Sequence, residues 1–267
     1  MEINQLKKLA AESAVEEIKS GMVIGLGSGS TFQFALERIA EKIHNNKLKN
    51  ILAIPSSFNT GKEAIRFGIP LITLNELVES VNGKRETENE KSIEQIFDKQ
   101  NFSYRLPSPV SRLSLIDVTI DGADETDEKL NLIKGGGGAL LHEKILAQAS
   151  KKFIVIIDES KLSKNLGEKF AVPIEVIQLA VNSEKKYLES LGAKVTLRKN
   201  SDGSNFLTDE NNLILDANFG KIKNPEKLSV LLNQRAGIVE HGLFINLTSK
   251  VYCAMENGKV KRVNSAQ

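Results

Sequence analysis

MVIGLGSGSTFQFALERIAEKI, residues 22–43, joins three kinds of local pattern in one stretch. Met22 to Leu26 is an apolar run of strand length, and Gly27 to Thr31 is a turn of glycines and hydroxyl residues. From Phe32 onward the apolar residues recur at helical spacing. The same succession returns along the chain, because NILAIP (50–55), PLITL (70–74), SLIDVTID (114–121) and KFIVIID (152–158) are apolar runs separated by helical stretches. Strands alternating with helices predict a parallel sheet with helical crossovers. In open sheets of this kind ligands bind beyond the carboxyl ends of the strands. Four of the runs are followed there by polar residues, as GSGST, PSS, DGADE and DESK, so four loops are expected to converge on one pocket.

After about Phe170 the rhythm changes. AVPIEVI (171–177), a helical AVNSEKKYLESL (180–191), AKVTLRK (193–199), the polar turn NSDGSN and NNLILDANF (211–219) precede a helix opening at Asn224-Pro225. Strand, helix, two strands, helix and strand make a split βαβ pattern. The expected fold is therefore α/β. A Rossmann-like parallel sheet spans 1–170 and 243–267, and a smaller α+β, ferredoxin-like domain spans 171–242. The last stretch, LFINLTSKVYCAMENGKVKRV, reads as strands that return to the first sheet. NGKRETENEKSIEQIFDKQ (82–100) is highly charged with a short apolar face, and is expected to be a surface excursion.

Composition narrows the functional classes. The 267 residues are 40% hydrophobic and 26% charged, ordinary for a globular chain. Runs such as Phe153 to Ile157 are far too short to cross a bilayer. MEINQLKKLAAESAVEEIKSG has no signal-peptide core, so a cytoplasmic location is the expectation. Cys253 is the single cysteine and His44, His142 and His241 are the only histidines, which excludes an intramolecular disulfide and argues against a structural zinc. A net charge of +2 and the absence of Trp argue against a nucleic-acid partner.

Four motifs carry candidate chemistry. In GLGSGST (25–31) small residues between strand and helix let backbone N–H groups face an anion at a helix N-terminus. Position 30, where a dinucleotide fingerprint needs its third glycine, is Ser30, and no Walker lysine follows. The hydroxyls of Ser28, Ser30 and Thr31 suit a single phosphate, and the plain alternative is a tight turn without a ligand. Asp121-Gly122-Ala123-Asp124-Glu125 places three carboxylates in five residues. Such a cluster calls for a metal, for sugar hydroxyls with a lysine, or for a solvated turn. Lys134 precedes four consecutive glycines, Gly135 to Gly138, whose backbone entropy is costly unless something approaches the chain closely. Glu143 follows nine positions beyond Lys134, near a helix start that favours its ionised form and so a general base, or simply a first-turn acid. Lys161, in DESK, can meet a phosphate as a point charge. His142 points about 100° away from Glu143 on a helix and is read as a bystander.

Taken together and in this order, GLGSGST, TIDGADE, KGGGGALLHEK and DESK, with a split βαβ segment behind them, resemble the ribose-5-phosphate isomerase family of type A. The resemblance runs from Leu6-Lys7-Lys8 to LFIN (243–246). It implies interconversion of ribose 5-phosphate and ribulose 5-phosphate through an enediolate in the non-oxidative pentose phosphate pathway, with no metal or redox cofactor. It further implies a sugar-phosphate substrate and a homodimer or homotetramer. Ser28, Gly29, Ser30 and Thr31 would line the substrate site with Gly122, Ala123, Gly135, Gly136 and Gly137. Asp121 and Asp124 would contact the sugar, Lys134 would support the developing charge, and Glu143 would move the proton. Lys7 and Lys161 match positions that help bind the phosphate. The chain departs from the family in a stretch over 82–114 some thirty residues longer than expected, and in Gly138, where relatives vary. Two other readings use similar scaffolds. A sugar-phosphate sensor would need a DNA-binding element, yet residues 1–21 hold only one helix. An acyl-CoA transferase would need a nucleotide-sized groove, which mixing with acyl-CoA donors tests.

Overall fold

The computed structural model describes residues 1–82 and 114–265. In chain order its elements are α1 (Ile3–Val15), β1 (Val23–Leu26), α2 (Gly29–His44), β2 (Leu52–Pro55), α3 (Phe58–Arg66) and α4 (Leu74–Asn82). Then come β3 (Val118–Gly122), β4 (Glu125–Thr126), β5 (Leu132–Ile133), α5 (Leu140–Gln148) and β6 (Phe153–Asp158). The sequence continues with β7 (Val172–Val176), α6 (Val181–Ser190), β8 (Lys194–Leu197), β9 (Leu213–Asn218), α7 (Pro225–Asn233) and β10 (Ile238–His241). Last are β11 (Leu243–Phe244), β12 (Lys250–Ala254) and β13 (Val260–Asn264). The longer connection read over 82–114 lies, but for its two ends, outside the described residues.

β1, β2, β3, β6 and β12 pair in parallel, and β13 closes one edge antiparallel, in the order β13-β12-β6-β3-β1-β2. These strands read as unbroken apolar runs because helices cover both faces of a parallel sheet, and all six residues of β6 are buried. α2 turns Phe32, Ala35, Leu36, Ile39 and Ala40 into the core against Leu6, Ala10 and Ala14 of α1. Burying a side chain such as Phe32 contributes roughly 1.5–3 kcal/mol. From β1 the chain goes to β2 on one side and then to β3 on the other. The winding therefore reverses between β1 and β3, which is where such sheets open a ligand crevice.

PLITL, expected as a strand, does not become one. Only Leu71 bridges to Ala53, because Thr73 starts α4 with a reciprocal cap. Thr73 Oγ1 accepts from the Glu76 N–H at 3.1 Å while Glu76 accepts from the Thr73 N–H at 2.7 Å.

The second sheet is wholly antiparallel in the order β10-β7-β9-β8, the arrangement of a split βαβ unit. Val172, Ile174, Val176, Leu213, Leu215 and Ala217 from one sheet face pack with Leu188 of α6 and Leu232 of α7 in a second core, which Ile133 of β5 and Leu243 of β11 also enter. The opposite face presents Glu175, Ile214 and Asp216. A small sheet, β11-β5-β4, joins the two parts and carries Lys134 at its end. Among the described residues no helix is long and apolar enough to cross a membrane.

Candidate active site

The loops after β1 and β3 meet at the point where the winding reverses. Gly27 lies so close to β3 that a Cβ there would come within 2.2 Å of Asp121 Oδ1, so only glycine fits. Asp121 Oδ1 instead accepts the N–H of Ser28 at 2.9 Å and of its neighbour Gly122 at 2.7 Å. Ser28 stands at the N-cap of α2, but its hydroxyl does not cap the helix. It donates to Glu143 Oε1 at 2.6 Å, so the first N–H groups of α2 stay free of a side-chain cap.

Lys134 reaches into the space between these loops and is 3% exposed. Its Nζ donates to the Gly122 carbonyl at 2.6 Å and stands 3.0 Å from Asp121 Oδ2 and 3.3 Å from Glu143 Oε2. Those two carboxylate oxygens are buried and accept no other hydrogen bond among the described residues. One ammonium thus serves two carboxylates in a site that water barely enters.

The electrostatics follow from that arrangement. Burial pushes the Asp121 carboxyl up to about 7, the nearby Glu143 charge adds to the rise, and Lys134 opposes it. Burial alone would lower the Lys134 pKa, but the charges of Asp121 and Glu143 outweigh it and raise it, so the lysine is a fixed cation. Asp124 is raised by burial, against the N–H of Gly136, which it accepts at 2.8 Å, and against Lys134.

The glycine loop sits beside this cluster. Gly135 has φ +103°, open to glycine alone, and its carbonyl accepts the Gly138 N–H at 3.0 Å to close a turn. Gly137 has open space where a Cβ would be, and its N–H has no acceptor among the described residues. Glu143 itself lies in the first turn of α5. That helix is fastened by the next residue, since Lys144 Nζ donates to Glu240 Oε1 and to the His241 carbonyl, both at 2.6 Å. The Phe244 ring lies 5.6 Å from Lys134 Nζ and 4.9 Å from Lys144 Nζ, a shared apolar floor.

At the other end of the crevice Ser30 and Gly29 are exposed and Thr31 is half-buried. Lys7 of α1 donates to Ser30 Oγ at 2.9 Å, which brings α1 to the anion loop. Lys161 ends a 3₁₀ turn, Glu159–Lys161, held by Asp158, and its charge lowers the pKa of Asp124. Ala123 is half-buried and packs against the cluster around Phe153 and Phe244. The expected convergence of four loops becomes three contributors in contact: the loop after β1, the loop after β3 and the glycine loop leading into α5. The PSS turn supports them from behind, with the Ser56 N–H donating to the Leu26 carbonyl at 2.8 Å and Thr60 of α3 donating to the Gly27 carbonyl at 2.9 Å. His142 faces away, 2.8 Å from Glu210.

The sequence reading missed Lys144, Phe244, Arg198 and Asp216. Lys144 carried a signal, being a lysine beside the candidate base on a helix whose other flank is buried. Phe244 and Asp216 lie on distant strands, and Arg198 just beyond one.

A carboxylate beside a permanent cation, a loop with an open N–H and, at the far end, a helix N-terminus with hydroxyls and a lysine but no side-chain cap define a class. It is an enzyme that moves a proton at a carbon next to a carbonyl on a phosphorylated substrate. A profile of the family described as ribose 5-phosphate isomerase A (phosphoriboisomerase A) matches residues 99–258. Ribose-5-phosphate isomerase A of Desulfatibacillum aliphaticivorans is 49% identical over 253 residues, covering 95% of this chain and 94% of the relative. A ribose 5-phosphate isomerase structure from Plasmodium falciparum aligns with TM-score 0.82 at 34% identity over 99% of this chain and all of its own. A D-ribose-5-phosphate isomerase structure in complex with phospho-erythronic acid aligns with TM-score 0.83 at 33% identity over the same shares. The chain belongs to the ribose 5-phosphate isomerase A family and is an aldose–ketose isomerase.

Proposed function

We propose that this site interconverts D-ribose 5-phosphate and D-ribulose 5-phosphate, the step of the non-oxidative pentose phosphate pathway, with each residue in a definite role. The observation that carries the assignment is the triad of Asp121, Lys134 and Glu143 at 3.0 and 3.3 Å in a buried pocket. The phosphate sits at the N-terminus of α2, held by Ser30, Thr31 and backbone N–H groups with Lys7 and Lys161 as counter-charges. Gly29, Gly122 and Ala123 line the sugar's path, and Asp124 takes a sugar hydroxyl. Asp121, able to gain or lose a proton near pH 7, assists ring opening. Glu143 removes the proton from C2 of the open aldehyde, and the C2–H electron pair becomes the C1=C2 bond as the carbonyl electrons move to O1. Lys134 and the Gly137 N–H stabilise the negative oxygen of this enediolate, with Gly135 and Gly136 shaping the turn. Glu143 returns the proton to C1, and the O2 hydroxyl proton passes to O1.

Solvent exchange tests the core of the reading. In D₂O the protein should exchange the transferred hydrogen of ribose 5-phosphate, and Glu143→Gln should lower both exchange and turnover by roughly 10²- to 10⁴-fold while still binding substrate. A Glu143→Gln protein that exchanges normally removes Glu143 from the role. Residues 171–242 are assigned as a small domain on the strength of their own antiparallel sheet β10-β7-β9-β8, and expression of that segment alone checks whether it folds. A cytoplasmic location and a homodimer or homotetramer complete the reading. Light scattering on the purified chain distinguishes the two assemblies.

A further inference from the structure

The glycine loop is gripped from outside by the second sheet. Arg198, just beyond β8, donates from Nη1 to the Gly135 carbonyl at 2.8 Å and to the Gly136 carbonyl at 3.1 Å. The rest of its guanidinium is spent on Asp216 of β9, Nε to Oδ2 at 2.9 Å and Nη2 to Oδ1. Phe206 stands with its ring 5.7 Å from the guanidinium carbon and against Gly138, where a Cβ would come within 2.4 Å of the ring. Three side chains of the second sheet and its loops therefore seat the glycine turn.

The consequence lies in peptide geometry. In a trans peptide the C=O of one residue and the N–H of the next point in opposite directions. With the Gly135 carbonyl drawn to Arg198, the Gly136 N–H points the other way and meets Asp124 Oδ2 at 2.8 Å. With the Gly136 carbonyl drawn to the same Arg198, the Gly137 N–H is likewise turned from the second sheet, and it meets no acceptor among the described residues. Four consecutive glycines have little conformational preference of their own, so a fixed N–H direction has to be imposed from outside. An arginine suits this because its planar fork holds a carboxylate on one edge and two carbonyls on the other, which a lysine cannot reproduce.

We propose that Arg198, locked by Asp216, is a positioning residue that aims the Gly137 N–H at the enediolate oxygen. The inference rests on the reading of the glycine loop as the reacting end of the site. Arg198 touches no substrate, and its effect is confined to the step in which charge develops.

The test compares Arg198→Lys and Asp216→Asn with the unaltered protein. Both variants should lose about 10- to 100-fold in kcat, the scale of a misplaced stabilising group, with KM for ribose 5-phosphate changed less than about threefold. Phospho-erythronic acid, whose carboxylate resembles the enediolate oxygens, should bind more weakly by a similar factor. Ribitol 5-phosphate, with no such group, should bind as before. A kcat within twofold of normal, or equal weakening of both ligands, overturns the proposal, the second outcome meaning a general structural role. Glu143→Gln, run alongside, separates the two levels. Its failure to lose activity sinks the underlying reading, whereas an inactive Glu143→Gln with a normal Arg198→Lys sinks only the role of Arg198.

Discussion

The two ends of the crevice are built on opposite principles. At the end proposed for the phosphate, Gly29 and Ser30 are exposed, and the groups offered are backbone N–H dipoles, hydroxyls and lysines on flexible stems. At the reacting end Asp121, Lys134 and Glu143 are each less than 5% exposed and meet within 3.3 Å. In the proposed reading, an exposed cradle would grip a dianion equally in substrate and transition state, and so would support binding. A buried cluster of fixed charges stabilises only what changes charge, and so supports the rate. Exposed groups can be lost singly, but members of a buried ion cluster depend on one another.

That contrast is most sharply tested by Glu143→Gln, the variant expected to have the largest effect. Size and helix position are kept while proton acceptance is lost, so kcat should fall roughly 10²- to 10⁴-fold. KM and the melting temperature should stay near normal. A variant that loses binding instead of rate would erase the division between the two ends.

Lys134→Met breaks the cluster itself. It leaves the buried carboxylates of Asp121 and Glu143 without their cation, and removing one partner of a buried pair destabilises by about 3–5 kcal/mol. Urea unfolding should show that loss, with activity falling as well. A stable Lys134→Met protein would mean that the carboxylates find another partner or take up protons.

Substitutions at the phosphate end should act in the other currency. Thr31→Ala and Lys161→Ala each remove one contact to a charged group, worth about 1.5–3 kcal/mol, so KM should rise about 10- to 100-fold with kcat nearly unchanged. Steady-state kinetics with ribose 5-phosphate measures both, and an unchanged KM takes the residue out of the phosphate site.

The last expected effect is a slope rather than a loss. Asp121 carries a pKa raised to about 7, above its ordinary value of 3.8. A carboxyl of this kind stabilises the fold while protonated in both states and loses that contribution as pH rises through the folded pKa. Asp121→Asn cannot ionise, so its stability relative to the unaltered protein should climb between about pH 4 and 7 and level off above. Unfolding free energies measured across that range should show the climb, whatever constant offset the substitution adds, and a flat or falling difference would contradict the raised pKa.

Much of this molecule is legible in its sequence. Met22 to Thr31 gave a strand and the turn into a helix, Lys134 to Glu143 gave the lysine, the glycines and a glutamate at a helix start in order, and 171–242 gave a split βαβ rhythm that became the sheet β10-β7-β9-β8. Strand periodicity, backbone entropy and residue chemistry are local properties, so the chain displays them directly. PLITL misled because apolar content over five residues cannot separate a strand from a single bridge followed by a capped helix.

What only the tertiary structure decided is which of these groups meet. Asp121 and Lys134 come from different sheets, and Glu143 from a helix that Lys144 ties to Glu240 nearly a hundred residues away. The pKa of Asp121 is a property of that meeting, since burial and a neighbouring charge act through space. Arg198 is the clearest case. In AKVTLRK it is one basic residue beside another, and its hold on Gly135 and Gly136 spans more than sixty positions of chain. A side chain's reach across the fold depends on how two sheets pack, and no local pattern of residues encodes that distance.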